Sequence, residues 1–273
     1  MYQDHFQLKS QPFCEHASAT SLWVDSRMQE GLARLNYLVE SATLGLVTGP
    51  TGSGKSTLLK RFLHEVSRQR CEPVYCHLTH LNSTGLLKSL ISQLGEVPKR
   101  GKERLFEQIL QRATGSEGTL LLLLLLLLLL LLIIDEAHLL DGDALTDLRL
   151  LISSAMDAAP PLKILLVGQD VLRSTLKRSQ HGDLLNRIGV HYRLKPLTKE
   201  QTGRYIDVQM KQAGGAEDIF DTSVKELIHD FTGGVPRAIN NLATACLLQA
   251  VAQGVLRIDE ALFQQTSTEF QLG

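Results

Sequence analysis

The nonapeptide Gly49-Pro50-Thr51-Gly52-Ser53-Gly54-Lys55-Ser56-Thr57 constrains this chain more than any other feature. It has the spacing G-x-x-x-x-G-K-S. An apolar run over 43–48, suited to a buried strand, precedes it, and Leu58, Leu59, Phe62, Leu63 and Val66 recur at helical spacing after it. Glycines in such a loop let the backbone wrap a phosphate without Cβ clashes. Successive N–H groups and the helix N-terminus add positive potential. The strand–loop–helix context predicts a nucleoside triphosphate site. Residues 49–57 would cradle the phosphates of ATP, Lys55 would reach the β- and γ-phosphates, and the Ser56 hydroxyl would ligate Mg²⁺.

A second motif supplies the acids. Leu131-Leu132-Ile133-Ile134-Asp135-Glu136 reads as a buried strand ending in two carboxylates. Asp135 is predicted to hold Mg²⁺ through water, and Glu136 to orient and deprotonate the water that attacks the γ-phosphate. Asp135-Glu136-Ala137-His138 also spells the box of one helicase class, but a helicase needs a second RecA-like domain, and only helices follow here. Gln169, at the end of the apolar run 162–167, is a candidate γ-phosphate sensor. Arg187 and Arg237 are candidates to stabilise charge on the transferring phosphoryl group, and such an arginine can come from a neighbouring subunit.

Apolar strands near 43–48, 73–78, 129–134, 162–167 and 190–194 alternate with amphipathic helices. This predicts an α/β fold with an open, parallel, five-stranded sheet covered by helices on both faces. After Pro196 the pattern is helical only, over 199–213, 223–231, 236–252 and 259–267. The expected division is therefore an α/β nucleotide-binding domain over 1–196 and a small all-helical lid over 197–273.

The formal net charge of −1 over 273 residues gives no global drive toward nucleic acid or an anionic membrane. The four cysteines form no C-x-x-C pair, which fits a reducing cytoplasm, and the N-terminus lacks the apolar core of a signal peptide. Cys71, Cys76, His77 and His80 have the look of metal ligands. In a strand, however, adjacent Cys76 and His77 point to opposite faces. Leu120–Leu132 is a run of thirteen leucines, too short with Ile133 and Ile134 for a bilayer-spanning helix of roughly 20 residues. It is either a low-complexity tract or a stretch of non-native residues, and only its last five or six positions are needed for the strand.

Taken together, these motifs resemble an AAA+ ATPase of the ExeA/GspA-like group, close to transposon-encoded target-selection ATPases of the TnsC, TniB and MuB type. The likeness is carried by Tyr2, His5–Leu8 and Pro12-Phe13, by the 49–57 loop, and by Ile133–Leu139. It continues in Leu166–Gln169, Asn186–Ile188 and Gly233–Asn240. The resemblance implies that Arg237 is sensor 2, that Arg187 is the finger acting in trans (Arg193 being a substitute), and that the segment 1–25, through Phe6–Phe13, lines the adenine pocket. It also implies ATP and Mg²⁺ as cofactors and self-assembly into a ring or filament of six or more subunits per turn.

Secretion-type relatives carry a membrane span and a further domain after the ATPase. With neither before Gly273, the expectation is a cytoplasmic protein without membrane insertion. It would assemble on double-stranded DNA and serve a transposase, with a target-site adaptor as a further partner. The rival expectation is an ATPase for pilus or type II secretion assembly with no DNA role. Candidate DNA contacts are Thr79, His80 and Asn82 after the second strand and Lys99, Arg100, Lys102 and Arg104 in the basic turn. Arg173, Lys177 and Arg178 form another small patch.

Overall fold

The computed structural model describes residues 2–14, 22–66, 71–77, 82–114, 129–153, 162–216 and 218–271. The chain divides into two compact units, Ser26–Gly49 with Lys55–Leu194, and Met1–Asp25 with Pro50–Gly54 and Lys195–Gly273.

The larger unit is built on a five-stranded parallel sheet. In chain order its strands are β1 (Leu44–Thr48), β2 (Cys71–His77), β3 (Leu129–Asp135), β4 (Leu162–Gly168) and β5 (Ile188–Arg193). Their spatial order is β2-β3-β4-β1-β5. β1 is buried along its whole length, and β3 and β4 nearly so, as strands covered on both faces must be. Helices Ser26–Ser41, Lys55–Glu65, Ser83–Gln93, Lys102–Thr114 and Gly142–Ser153 each turn an apolar stripe inward. Asn82 caps its helix, accepting from the Gly85 N–H at 2.8 Å. The last four leucines of the tract, Leu129–Leu132, form the first half of β3, whereas 120–128 lie outside the described residues.

One polar knot lies inside this core. Asp147 is 2% exposed, accepts a hydrogen bond from the Ser83 hydroxyl, and is paired with Lys102 Nζ at 2.8 Å. It ties the N-terminal ends of two helices to the middle of a third. The charge of Lys102, expected to face DNA, is held here against a buried carboxylate.

The smaller unit is helical. Thr198 and Gln201 form a reciprocal capping box at the start of Lys199–Gln212. Thr222–Thr232, Pro236–Gln253 and Glu260–Gln271 follow, with Pro236 in the first turn of its helix, where its missing N–H costs nothing. The expected division near residue 196 placed 1–25 with the sheet, whereas the contacts group 1–25 with the C-terminal helices. The reason is hydrophobic: Tyr2, Phe6 and Phe13 are buried in one core with Ile206, Met210 and Phe220, and the Lys9 N–H donates to Ala213 O at 2.7 Å. Phe6 and Phe13, the ends of the segment expected to line an adenine pocket, belong to this core. Cys246 is buried in the same core, and burial pushes its thiol up to about 12, which makes it unreactive.

Removing Lys102 leaves Asp147 with one neutral donor. Lys102→Ala is expected to lower the unfolding free energy by about 1–2 kcal/mol, discounted because the lysine is half exposed. Combined with Asp147→Asn, the loss should be smaller than the sum of the two single losses. Denaturant titration of the three variants checks this, and strictly additive losses would contradict the pairing.

Candidate active site

Parallel register places three strand tips at one edge of the sheet. Thr48 of β1 pairs with Gly168 of β4, and Ile134 of β3 pairs with Leu166 of β4. Gly49, Gln169 and Asp135-Glu136 therefore leave the sheet side by side, β4 lying between the other two. In open α/β sheets this carboxyl edge is where ligands bind.

At the tip of β1 the chain enters the glycine loop and then helix Lys55–Glu65. Lys55 is buried, and its Nζ donates to Gly49 O at 3.0 Å. Within the loop, Gly52 and Gly54 adopt φ of +76° and +100°, and Ser53 N–H donates to Pro50 O at 3.2 Å. Ser53 Oγ is buried and has no hydrogen-bond partner among the described residues. An orphaned hydroxyl in a loop of left-handed glycines at a helix N-terminus suits a multiply charged phosphate. In the smaller unit, Arg237 N–H donates to Gly52 O at 3.3 Å. A Cβ on Gly52 would come within 2.8 Å of Arg237 Cβ. Thr51 and Ser56 are exposed, and Pro50 and Thr57 are half-buried.

At the tip of β3, Asp135 is 1% exposed. Its Oδ2 accepts the Tyr75 hydroxyl at 2.7 Å, and its Oδ1 accepts the Glu136 N–H at 2.9 Å. His77 Nδ1 lies 3.8 Å from Oδ2, beyond hydrogen-bond distance. Burial, and then the Asp135 carboxylate it donates to, push the Tyr75 phenol far above its ordinary value. Among the described residues no three His, Cys, Asp or Glu side chains are grouped to hold a metal. The expected pair, a carboxylate and a serine hydroxyl, would be hard oxygen donors of the kind that Mg²⁺ takes together with phosphate and water. Cys76 is buried and His77 exposed, on opposite faces as the strand reading requires.

Glu136 sits in the left-handed region at φ +54°, unusual for a residue with a Cβ and a form of strain that gathers at functional sites. It starts the short 3₁₀ turn Ala137–Leu139. His138 Nδ1 approaches Glu136 Oε2 to 3.2 Å, out of alignment for a hydrogen bond. This turn packs on the tip of β4, and Gly168 is what allows it. A Cβ there would meet His138 N at 3.1 Å and Leu172 Cδ2 at 3.2 Å. Nothing in the sequence pattern pointed to this contact.

Gln169 is half-buried and starts helix Val171–Leu176 with a backbone bond to Leu172 N–H at 3.0 Å. Arg187 caps the short helix Gly182–Asn186, and its exposed guanidinium makes no hydrogen bond or ion pair among the described residues. Arg193 differs. It grips Asp170 through Nε and Nη2 at 3.0 and 2.8 Å, and its guanidinium holds that carboxyl below the usual range. A finger must be available to another subunit; Arg187 is exposed, whereas Arg193 is engaged with Asp170.

Of the basic residues, Lys99, Arg100 and Arg104 are exposed, as are Arg173, Lys177 and Arg178. The Lys99 N–H donates to Gln108 Oε1 at 2.9 Å. Thr79 and His80 lie outside the described residues.

The close packing at Gly168 has a measurable consequence. Gly168→Ala is expected to displace the 136–138 turn by a few tenths of an ångström. ATPase turnover should fall about ten-fold or more, and ATP affinity should change less than three-fold. Steady-state kinetics beside equilibrium binding of a fluorescent ATP analogue separates the two.

Comparison with known proteins agrees with this geometry. An AAA domain matches residues 39–176, half of the chain. The chain is 30% identical over 262 residues to General secretion pathway protein A of Aeromonas hydrophila, an alignment covering 94% of this chain and 46% of that protein. It thus spans about half the length of the curated relative it matches. Among solved structures, it resembles Cdc6p of Pyrobaculum aerophilum with a TM-score of 0.70 at 19% identity, covering 94% of this chain and 70% of that one. It resembles the Drosophila ORC bound to DNA with a TM-score of 0.71 at 14% identity, covering 98% and 65%. At such identities these two show a shared fold. The matched half of the chain contains the phosphate loop, the paired acids and the tip of β4: this chain belongs to the AAA domain family.

Proposed function

We propose that this chain hydrolyses ATP to ADP and phosphate and uses the cycle to assemble and disassemble copies of itself within a secretion- or pilus-assembly process. The observation that supports hydrolysis best is the shared edge of β1, β4 and β3. It aligns a phosphate loop, a polar side chain and two acids, one buried and one strained.

In this reading the loop 49–54, through the N–H groups of Thr51, Gly52, Ser53 and Gly54, binds the triphosphate with Lys55, Ser56 and Thr57. Ser56 and Asp135 hold Mg²⁺, which would neutralise charge on the phosphate oxygens. Glu136 takes the proton of the attacking water, and Gln169 contacts the γ-phosphate. Arg237 adds charge from the helical unit, and Arg187 adds it from a neighbouring copy in a ring or filament. ATP supply puts the protein's work in the cytoplasm, and no helix among the described residues is long and apolar enough to cross a membrane.

The assembly role is supported by the relative named for the general secretion pathway, which aligns along 94% of this chain. Of the two expectations above, this favours the one first written as the rival. The DNA-bound, transposase-serving reading has less beneath it. Lys102 is committed to Asp147, and the likeness to a DNA-bound complex is one of fold at 14% identity.

Glu136→Gln is expected to cut turnover about 100-fold or more, leave ATP affinity within about three-fold, and stabilise the oligomer. Retained turnover would remove Glu136 from the role of base. Arg187→Ala should slow turnover about 1000-fold. Mixing it with Lys55→Ala should restore part of the activity, since a mixed assembly contains some sites with both residues intact. Absence of recovery would place the arginine in cis.

A further inference from the structure

We propose that Tyr75 is a positioning residue for the Mg²⁺-holding carboxylate, fixing Asp135 in one orientation through its hydroxyl. The proposal rests on the reading of Asp135 as the residue that holds Mg²⁺.

The sheet register carries the argument. His77 pairs with Asp135 and Tyr75 with Ile133, so Tyr75, His77 and Asp135 share one face. Tyr75 lies two residues back along β2, about 6.6 Å from the level of Asp135. A serine or threonine there falls short of the carboxylate, whereas a phenol spans the gap. Its hydroxyl reaches Asp135 Oδ2 at 2.7 Å.

Asp135 is otherwise held by the Glu136 N–H on Oδ1 at 2.9 Å. With one donor on each oxygen, the plane of the carboxylate is set. A second lone pair on each oxygen stays available for a metal-bound water. Without Tyr75, one oxygen of an almost fully buried carboxylate loses its donor and the group can turn about its Cβ–Cγ bond. Donors of this kind orient metal ligands, and their removal typically costs about 10- to 100-fold in metal affinity or activity.

Tyr75→Phe in the full chain deletes the one oxygen. The test is a thermal-unfolding titration with MgCl₂ at saturating ATP, beside ATP-analogue binding in EDTA and unfolding without nucleotide. Half-maximal stabilisation is expected to need about ten-fold more Mg²⁺ in the variant. Affinity in EDTA should match wild type, nucleotide-free stability should drop modestly because a buried carboxylate oxygen loses its donor, and adding Tyr75→Phe to Asp135→Asn should produce no further shift of the Mg²⁺ midpoint. An unchanged Mg²⁺ midpoint would overturn the proposal while leaving the role of Asp135 standing. So would a fall in ATP-analogue affinity in EDTA as large as the change in Mg²⁺ response, the sign of a merely structural tyrosine. If wild type itself gains nothing from Mg²⁺, or Asp135→Asn responds as wild type does, the underlying reading fails instead.

Discussion

A carboxylate withdrawn from water at the end of an all-apolar strand is the constraint on which the rest of the larger unit depends. Leucine after leucine carries no register information, because a slip by one residue exchanges one leucine for another. Asp135 ends that degeneracy. Pulled one place inward, it would turn to the opposite face and lose the Tyr75 hydroxyl, a costly change for a buried charge. The acid therefore fixes β3 against β2 and β4, and the fixed register then delivers Glu136 to the edge shared with the phosphate loop. Placement of the chemistry and registration of the sheet are one physical event.

Much of this could be read from the chain because it rests on local rules. The glycine loop demands its backbone shape whatever surrounds it, and buried parallel strands announce themselves as continuous apolar runs. The parts that could not be read depend on contacts far apart in sequence. Tyr75 became meaningful only when its register with Ile133 was known, and Lys102 looked like a solvated charge until Asp147 appeared beside it. The N-terminal aromatics were expected at a nucleotide, yet an apolar ring serves equally well as core, and here Phe6 and Phe13 are core. That Arg193 is engaged rests likewise on Asp170, a residue the pattern gave no reason to notice.

The same distinction governs the biology. The fold is shared with Cdc6p and an ORC at under 20% identity, and it says little about what a given chain moves or marks. The relative along nearly the whole chain belongs by name to general secretion, so the account treats the ATP cycle as a switch on self-assembly that needs no DNA.

The most direct test is the ATPase rate measured against protein concentration, with and without double-stranded DNA, at low and high salt. The account predicts a rate per subunit that climbs steeply with concentration, because Arg187 completes a neighbour's site, and that ignores DNA at either salt. Strong stimulation by DNA that fades as salt rises would contradict the assembly reading. A rate per subunit independent of concentration would contradict the shared site.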